Sequence, residues 1–267
     1  PMKPATSGIA ARTSRARTQV ERLKRRAPLA PFLIKSCITL YSIKKPKWMH
    51  PARQFWRRLQ VETPQYLPLI ALALLIPVMA LAWLRQKRTG NAGIVDLIWT
   101  GSIGLMALSY GLLTTGWLPR RVLVMVIAGT WSARLTYYLY KRFSSEPEDG
   151  RYASLRTSWG EKFEATLFWF FQIQALLAVL LSLTFLALCA ATEAGWRIQD
   201  GLALLLFVVS ILGEGIADRQ LHAWRTQPAN RGRTCRSGLW ASSRHPNYFF
   251  EWLHWLVYPL IGIGLPL

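Results

Sequence analysis

The chain has 267 residues, of which 52% are apolar and 13 are tryptophan, and it carries a net charge of +20 with only three cysteines. Cys37, Cys189 and Cys235 are scattered and odd in number, which excludes a disulfide framework and shows no metal-ligand spacing. So basic a balance usually marks a nucleic-acid binder. Here the cations sit in a tail and in loops between apolar runs, so we read them as membrane flanks and a site for one anionic ligand, with no nucleic-acid partner.

Residues 1–60 differ from the rest: they are rich in Arg and Lys, with Glu21 the sole acid before Glu62. The apolar piece from Ala27 to Ile43 is broken by Pro28, Pro31 and Lys35, so it reads neither as a signal peptide nor as a crossing. A basic, disordered tail is the expectation. The chain opens on Pro1 rather than Met, which we read as a fragment or an extended reading frame with Met49 as an alternative start.

From residue 61 to 267 the sequence reads as one all-α, polytopic membrane domain. Apolar runs cover about 66–84, 93–117, 121–141, 165–191, 201–217 and 248–267. Each is long enough, or nearly so, to cross a bilayer. Six such runs in one chain leave no soluble core in which to bury them, so a bundle of six transmembrane helices is expected. The clusters at Arg85–Arg88, 141–162 and 218–247 fall on one side of six crossings. The positive-inside rule makes that side cytoplasmic. The N-terminus is then outside, against the charge of its own tail; three agreeing loops carry more weight.

Ionisable residues recur inside these runs, where each is costly unless it has a partner. Asp96 opens the second run. Arg134 lies in the third, followed by Tyr137, Tyr138 and Lys141. Glu214 and Asp218 stand four apart at the end of the fifth, with His222 and Arg225 continuing that side if the helix extends. In the sixth, Pro246 suits a first helical turn. Asn247, Glu251, His254 and Tyr258 then share one face at i, i+4, i+7 and i+11. Acids and bases on four helices point to a shared polar cavity; the plainer alternative for each is a structural ion pair, such as Asp96 with Arg134. Between the last two runs, Arg219, Arg225, Arg231, Arg233, Arg236 and Arg244 alternate with Trp224 and Trp240. Arginine forks match phosphate and indole rings stack on flat heterocycles, while a solvated loop explains the charge equally well. Gly-rich dinucleotide, P-loop, zinc and Ser-His-Asp patterns are absent.

Ala217-Asp-Arg-Gln-Leu-His-Ala-Trp-Arg225, then Gly238-Leu-Trp followed by Ser-Arg-His-Pro-Asn-Tyr and Glu251, resembles the steroid 5-alpha reductase family, most of all its bacterial branch. Asp149-Gly-Arg-Tyr-Ala-Ser-Leu-Arg156 with Trp159-Gly160 also looks like that branch. The resemblance covers roughly residues 90–267, and its Arg-His-Pro-Asn-Tyr core is shared in part with sterol C14 reductases and isoprenylcysteine methyltransferases. It implies a seven-helix bundle in the complete protein, with the last helix and tail beyond Leu267, in a bacterial inner membrane with the cofactor site facing the cytoplasm. It also implies NADPH, held by residues matching Asp218, Arg225, Asn247 and Glu251, with Arg244, His245 and Tyr248 added from the sterol reductase relatives.

Two positions depart from that pattern. Aligning the third-helix arginine with Arg134 places Trp131 where the steroid enzymes carry a catalytic tyrosine. The acid pair of their second helix has Asp96 as its nearest equivalent. Asp96 and Tyr138 are therefore the expected proton donors. The implied activity is NADPH-dependent reduction of a carbon–carbon double bond conjugated to a carbonyl, in a lipophilic, lipid or sterol-like substrate. An S-adenosylmethionine-dependent membrane methyltransferase is the alternative enzyme, and a non-catalytic membrane scaffold, favoured by Trp131, is the third reading.

Overall fold

The computed structural model describes residues 64–145 and 147–266; the tail expected over 1–60, with Cys37 and Met49, lies outside the described residues. Among the described residues there is no strand. Within the described residues seven α-helices follow one another: α1 Leu67–Thr89, α2 Ile94–Leu113, α3 Leu118–Ser145, α4 Gly150–Trp159, α5 Phe163–Ala190, α6 Ile198–Arg225 and α7 Pro246–Gly262. All but α4 correspond to the six apolar runs. The outer faces of α1, α5 and α6 expose Leu69, Leu74, Leu81, Ile173, Leu180, Leu205 and Leu212. Five membrane-length apolar segments with leucine-rich outer faces make this an all-α, polytopic membrane protein. At 17 residues α7 spans about 25 Å, the lower end of what a bilayer core requires.

Three boundaries differ from the sequence reading. The helix expected to reach residue 267 stops at Gly262: Pro259 lies inside its last turn, and Gly264 takes a φ of +76°. A side chain is strained in that left-handed region, so glycine ends the helix readily there. The fifth run extends to Arg225, which carries its polar side two turns beyond Asp218. The supposed loop 141–162 contains the end of α3 and the whole of α4. Asp149 caps α4 by accepting the backbone N–H of Arg151 at 2.8 Å, and Gly160 at φ +49° closes it.

Small residues let the helices approach. A Cβ on Gly104 of α2 would lie 2.2 Å from Ser132 Oγ on α3, and one on Gly213 of α6 would lie 2.3 Å from the Phe250 ring on α7. The buried core runs through Ile103, Ile127, Phe171, Phe185 and Ile261. Tyr110 O–H and Ser182 Oγ join α2 and α5 at 3.0 Å.

Hydrogen bonds define the two ends. At one end, Ala92 N–H donates to Glu148 Oε1 at 2.9 Å, Arg156 to Gly90 O at 3.3 Å and Trp240 Nε1 to Ala217 O at 2.9 Å. The α1–α2 turn, the α3–α4 turn and the α6–α7 connection therefore share this end. At the other, Thr114 Oγ1 donates to Cys189 O at 2.8 Å and Arg120 to Glu193 O at 3.0 Å. Arg197 there ties Asp200 to the end of α7, through Ile263 O at 2.7 Å. Among the described residues, this far end has only Arg120, Arg121 and Arg197 as cations, and all three are turned onto backbone carbonyls.

Candidate functional site

The polar groups on α3, α6 and α7 converge. Glu214 and Asp218 sit one turn apart on α6, on the face turned to α3. Arg134 of α3 bridges them, with Nη1 2.7 Å from Glu214 Oε1 and Nη2 2.6 Å from Asp218 Oδ2. Asn247, in the first turn of α7, donates Nδ2–H to Asp218 Oδ1 at 3.5 Å. One turn further, Glu251 accepts two indole N–H groups: Trp131 Nε1 at 3.0 Å and Trp255 Nε1 at 3.2 Å. Trp131 is fully buried and stacks on His254, whose Nε2 lies 2.8 Å from Tyr258 O–H. The helical face drawn from Asn247, Glu251, His254 and Tyr258 is thus an interior seam between α7 and α3. A charge at this depth is tolerable because each has an oriented partner.

Asp96 has other partners than Arg134. Its Oδ1 accepts Tyr152 O–H at 2.9 Å and its Oδ2 accepts Arg151 Nη2–H at 3.0 Å, both from α4. The Asp96–Arg134 pair weighed on sequence grounds is replaced by two separate networks, because α6 rather than α2 faces the Arg134 guanidinium. Outside the spans, burial favours the neutral form of Asp149. The backbone and side chain of Arg151, with Arg142 at 2.9 Å, outweigh that and hold the carboxyl below its usual range.

Around these groups lie two adjoining cavities. The inner one, about 260 Å³, is lined by Asp96, Trp99, Tyr138, Glu214, Asp218 and Glu251, among others. The outer vestibule, about 420 Å³, is lined by Trp224, Arg225, Arg233, Trp240, Arg244 and His245, among others. Tyr138, Arg142, Arg151, Asn247 and Tyr248 line both. Each residue expected to hold the cofactor or donate the proton therefore lies on one of the two: Asp96, Asp218 and Glu251 on the inner cavity, Arg225, Arg244 and His245 on the vestibule, and Tyr138, Asn247 and Tyr248 at their junction. His245 stacks on Tyr248 with ring centroids 5.4 Å apart. The connection that carries Arg244 is fastened to α6 by Leu239 N–H on Gln220 Oε1 at 2.9 Å, where Gly238 takes φ +59° against that side chain.

Several buried polar atoms on these walls have no partner among the described residues: Trp99 Nε1, Asn247 Oδ1 and Glu214 Oε2 in the inner cavity, and Trp224 Nε1 in the vestibule. Such atoms cost free energy unless a ligand or water satisfies them. Arg225, Arg233 and Arg244 form no ion pair among the described residues. Sequence reasoning missed Arg151 and Tyr152, which α4 brings to Asp96, and Trp131 as the donor to Glu251. The signal for the first two lay in the Asp149–Arg156 segment, which drew attention only by resemblance. For Trp131 the signal was its place at the position where the resemblance puts a catalytic tyrosine; the apolar pattern gave none, since an indole in an apolar run reads as core.

Fold and site together define a polytopic α-helical membrane protein with a two-part polar chamber opening at its basic end. Residues 82–265, more than half of the chain, match the family described as "Protein of unknown function (DUF1295)", and the chain belongs to that family. The match takes in every residue of both cavities. The chain is similar to Uncharacterized protein C594.04c of Schizosaccharomyces pombe, at 32% identity over 204 residues, covering 65% of this chain and 58% of that protein. It thus spans less than two thirds of that relative's length. No solved structure matches the chain at a significant level.

Proposed function

We propose that this protein is an NADPH-dependent membrane reductase acting on a carbon–carbon double bond conjugated to a carbonyl in a lipophilic substrate. The observation that carries this reading is the division of the chamber. An arginine- and tryptophan-walled vestibule, whose one acid, Asp149, is already held by Arg142 and Arg151, leads into a smaller carboxylate- and amide-lined cavity with buried donors and acceptors that lack a partner among the described residues. Cavities of this size, mostly enclosed by a scaffold with a few convergent polar groups, are the usual form of small-molecule sites.

The residues present fit a dinucleotide. Arg225 and Arg244, with Arg233 beside them, offer forks for phosphate, and the unpartnered Trp224 N–H offers a donor in the same wall. Asn247 Oδ1 is a free acceptor at the entrance of the inner cavity. Arg134 fixes Asp218, Asp218 fixes Asn247, and the two indoles fix Glu251, so the groups that would orient the nicotinamide end are themselves held. NADPH, when bound, supplies a hydride for the β carbon of the substrate. The protein's part is to polarise the carbonyl oxygen, stabilise the enolate charge and deliver a proton. Asp96 already accepts hydrogen bonds at both oxygens, so it serves better to position Arg151 and Tyr152. Tyr138, at the junction of both cavities, is assigned as the donor. The basic end is the cytoplasmic one by its excess of cations, which gives NADPH access to the vestibule.

Thermal shift of the detergent-solubilised chain tests the reading. NADPH at a hundredfold excess over its Kd should stabilise the protein by about 2.7 kcal/mol, and S-adenosylmethionine should not. Stabilisation by S-adenosylmethionine instead would make it a methyltransferase, and stabilisation by neither would leave a scaffold.

A further inference from the structure

A third cavity, about 730 Å³, lies between the basic halves of α3 and α6. Among the described residues its walls come from these two helices alone, apart from Thr226, which caps α6, so it lies between helices rather than among the loops. It meets the inner cavity at Tyr138, Arg142 and Asp218. Tyr137 is 59% exposed on its wall, with Lys141 Nζ 4.8 Å from the ring centroid.

The charge on this cleft is one-sided. Among the described residues Asp218 is the only acid on its walls, and Arg134 and Asn247 already engage it. Arg219, His222 and Arg225 face no acid among the described residues. Arg219 lies six residues before the end of α6, about 9 Å into the helix at 1.5 Å per residue. At 28 residues α6 spans about 42 Å, longer than a ~30 Å hydrocarbon core, so Arg219 stands on the cleft wall at the level of the membrane interface, where lipid head groups lie. The cleft thus offers a cationic, tyrosine-lined slot with an apolar surround and direct access to the site.

Building on the reductase reading, we propose that the substrate is an amphiphile with an anionic head, phosphate or carboxylate, that enters from the bilayer through the α3–α6 cleft with its head on Arg219 and Lys141. Both side chains are exposed and belong to neither the inner cavity nor the vestibule, so their replacement leaves the fold and the cofactor site intact.

The test is titration of the detergent-solubilised full chain with dioctanoyl phosphatidic acid, decanoate, dioctanoylglycerol and inorganic phosphate. Saturable binding of phosphatidic acid or decanoate is expected; the tighter of the two fixes the head as phosphate or carboxylate. Lys141→Gln and Arg219→Gln should each weaken that binding by about tenfold, the loss of one charged contact. Equal affinity for the neutral dioctanoylglycerol, equal affinity for inorganic phosphate, or unchanged binding in the double variant would overturn the proposal. The NADPH response is read separately on the same preparations. It should be unchanged in both variants, so failure of the cleft ligand and failure of the cofactor reading appear in different measurements.

Discussion

Arg225 and Arg244 are the residues whose environments separate a ligand site from a basic loop. Both line the vestibule, and neither forms an ion pair among the described residues. Their alanine variants should each weaken NADPH binding by about 1.5–3 kcal/mol, the usual loss for a charged hydrogen bond, with little change in melting temperature. Lysine should restore part of the affinity but not the bidentate geometry. Isothermal titration on the purified chain checks this, and unchanged affinity in both variants would remove the phosphate assignment. At this scale the sequence disclosed which polar residues share a helix face, because 3.6-residue periodicity is local. Glu214 with Asp218, and Asn247 with Glu251, could be paired by counting. It did not disclose partners across the bundle: Arg134 and Asp218 are 84 positions apart, and Trp131 and Glu251 are 120 apart. Nothing in the face of one helix states which helix lies opposite. Hence Arg134 could be weighed against Asp96 when the structure gives it to α6.

At the scale of the element, α4 is what the sequence pattern hid. It is short, polar and embedded in a charge-rich connection, so apolar periodicity gives no signal. Its Asp-Gly start and Gly160 stop are turn chemistry that also fits a loop. Yet α4 delivers Arg151 and Tyr152 to Asp96 and braces Asp149 against Arg142. Asp149→Ala should lower the local stability of α4 by about 1 kcal/mol, the typical value of an N-cap. Because the folded-state pKa of Asp149 lies below its unfolded value, that contribution is complete above the unfolded pKa and is lost as pH falls through the folded one. Amide exchange at Tyr152 and Ala153 should therefore be faster in the variant at neutral pH and should converge with the wild type in acid. Equal protection at pH 7 would show that the cap carries no weight.

For the whole molecule, the five membrane-length apolar helices and the shorter α7 were legible because a bilayer demands length and hydrophobicity that few other roles require. The ends were less so, since Pro259, Gly264 and the capping at Thr114 decide where each helix stops. What the structure adds is sidedness. Ser145 and Thr234 lie at the end that holds the chamber, and Thr192 lies beside the Trp117–Ala191 contact at the other. All three are exposed. Single cysteines at these positions, in a background with Cys37, Cys189 and Cys235 changed to alanine, should therefore react from opposite sides of a sealed membrane. Among the described residues, the chamber end bears the cationic loops, and the far end has only three arginines, each turned onto a backbone carbonyl. The charge imbalance thus predicts that an impermeant maleimide added outside intact cells labels position 192 and spares 145 and 234 until the membrane is opened. Labelling of 145 and 234 from outside would invert the protein and cut the vestibule off from cytoplasmic NADPH. Labelling of all three from one side would contradict the helix count itself, since an odd number of crossings separates 145 from 192 and 192 from 234 in this fold.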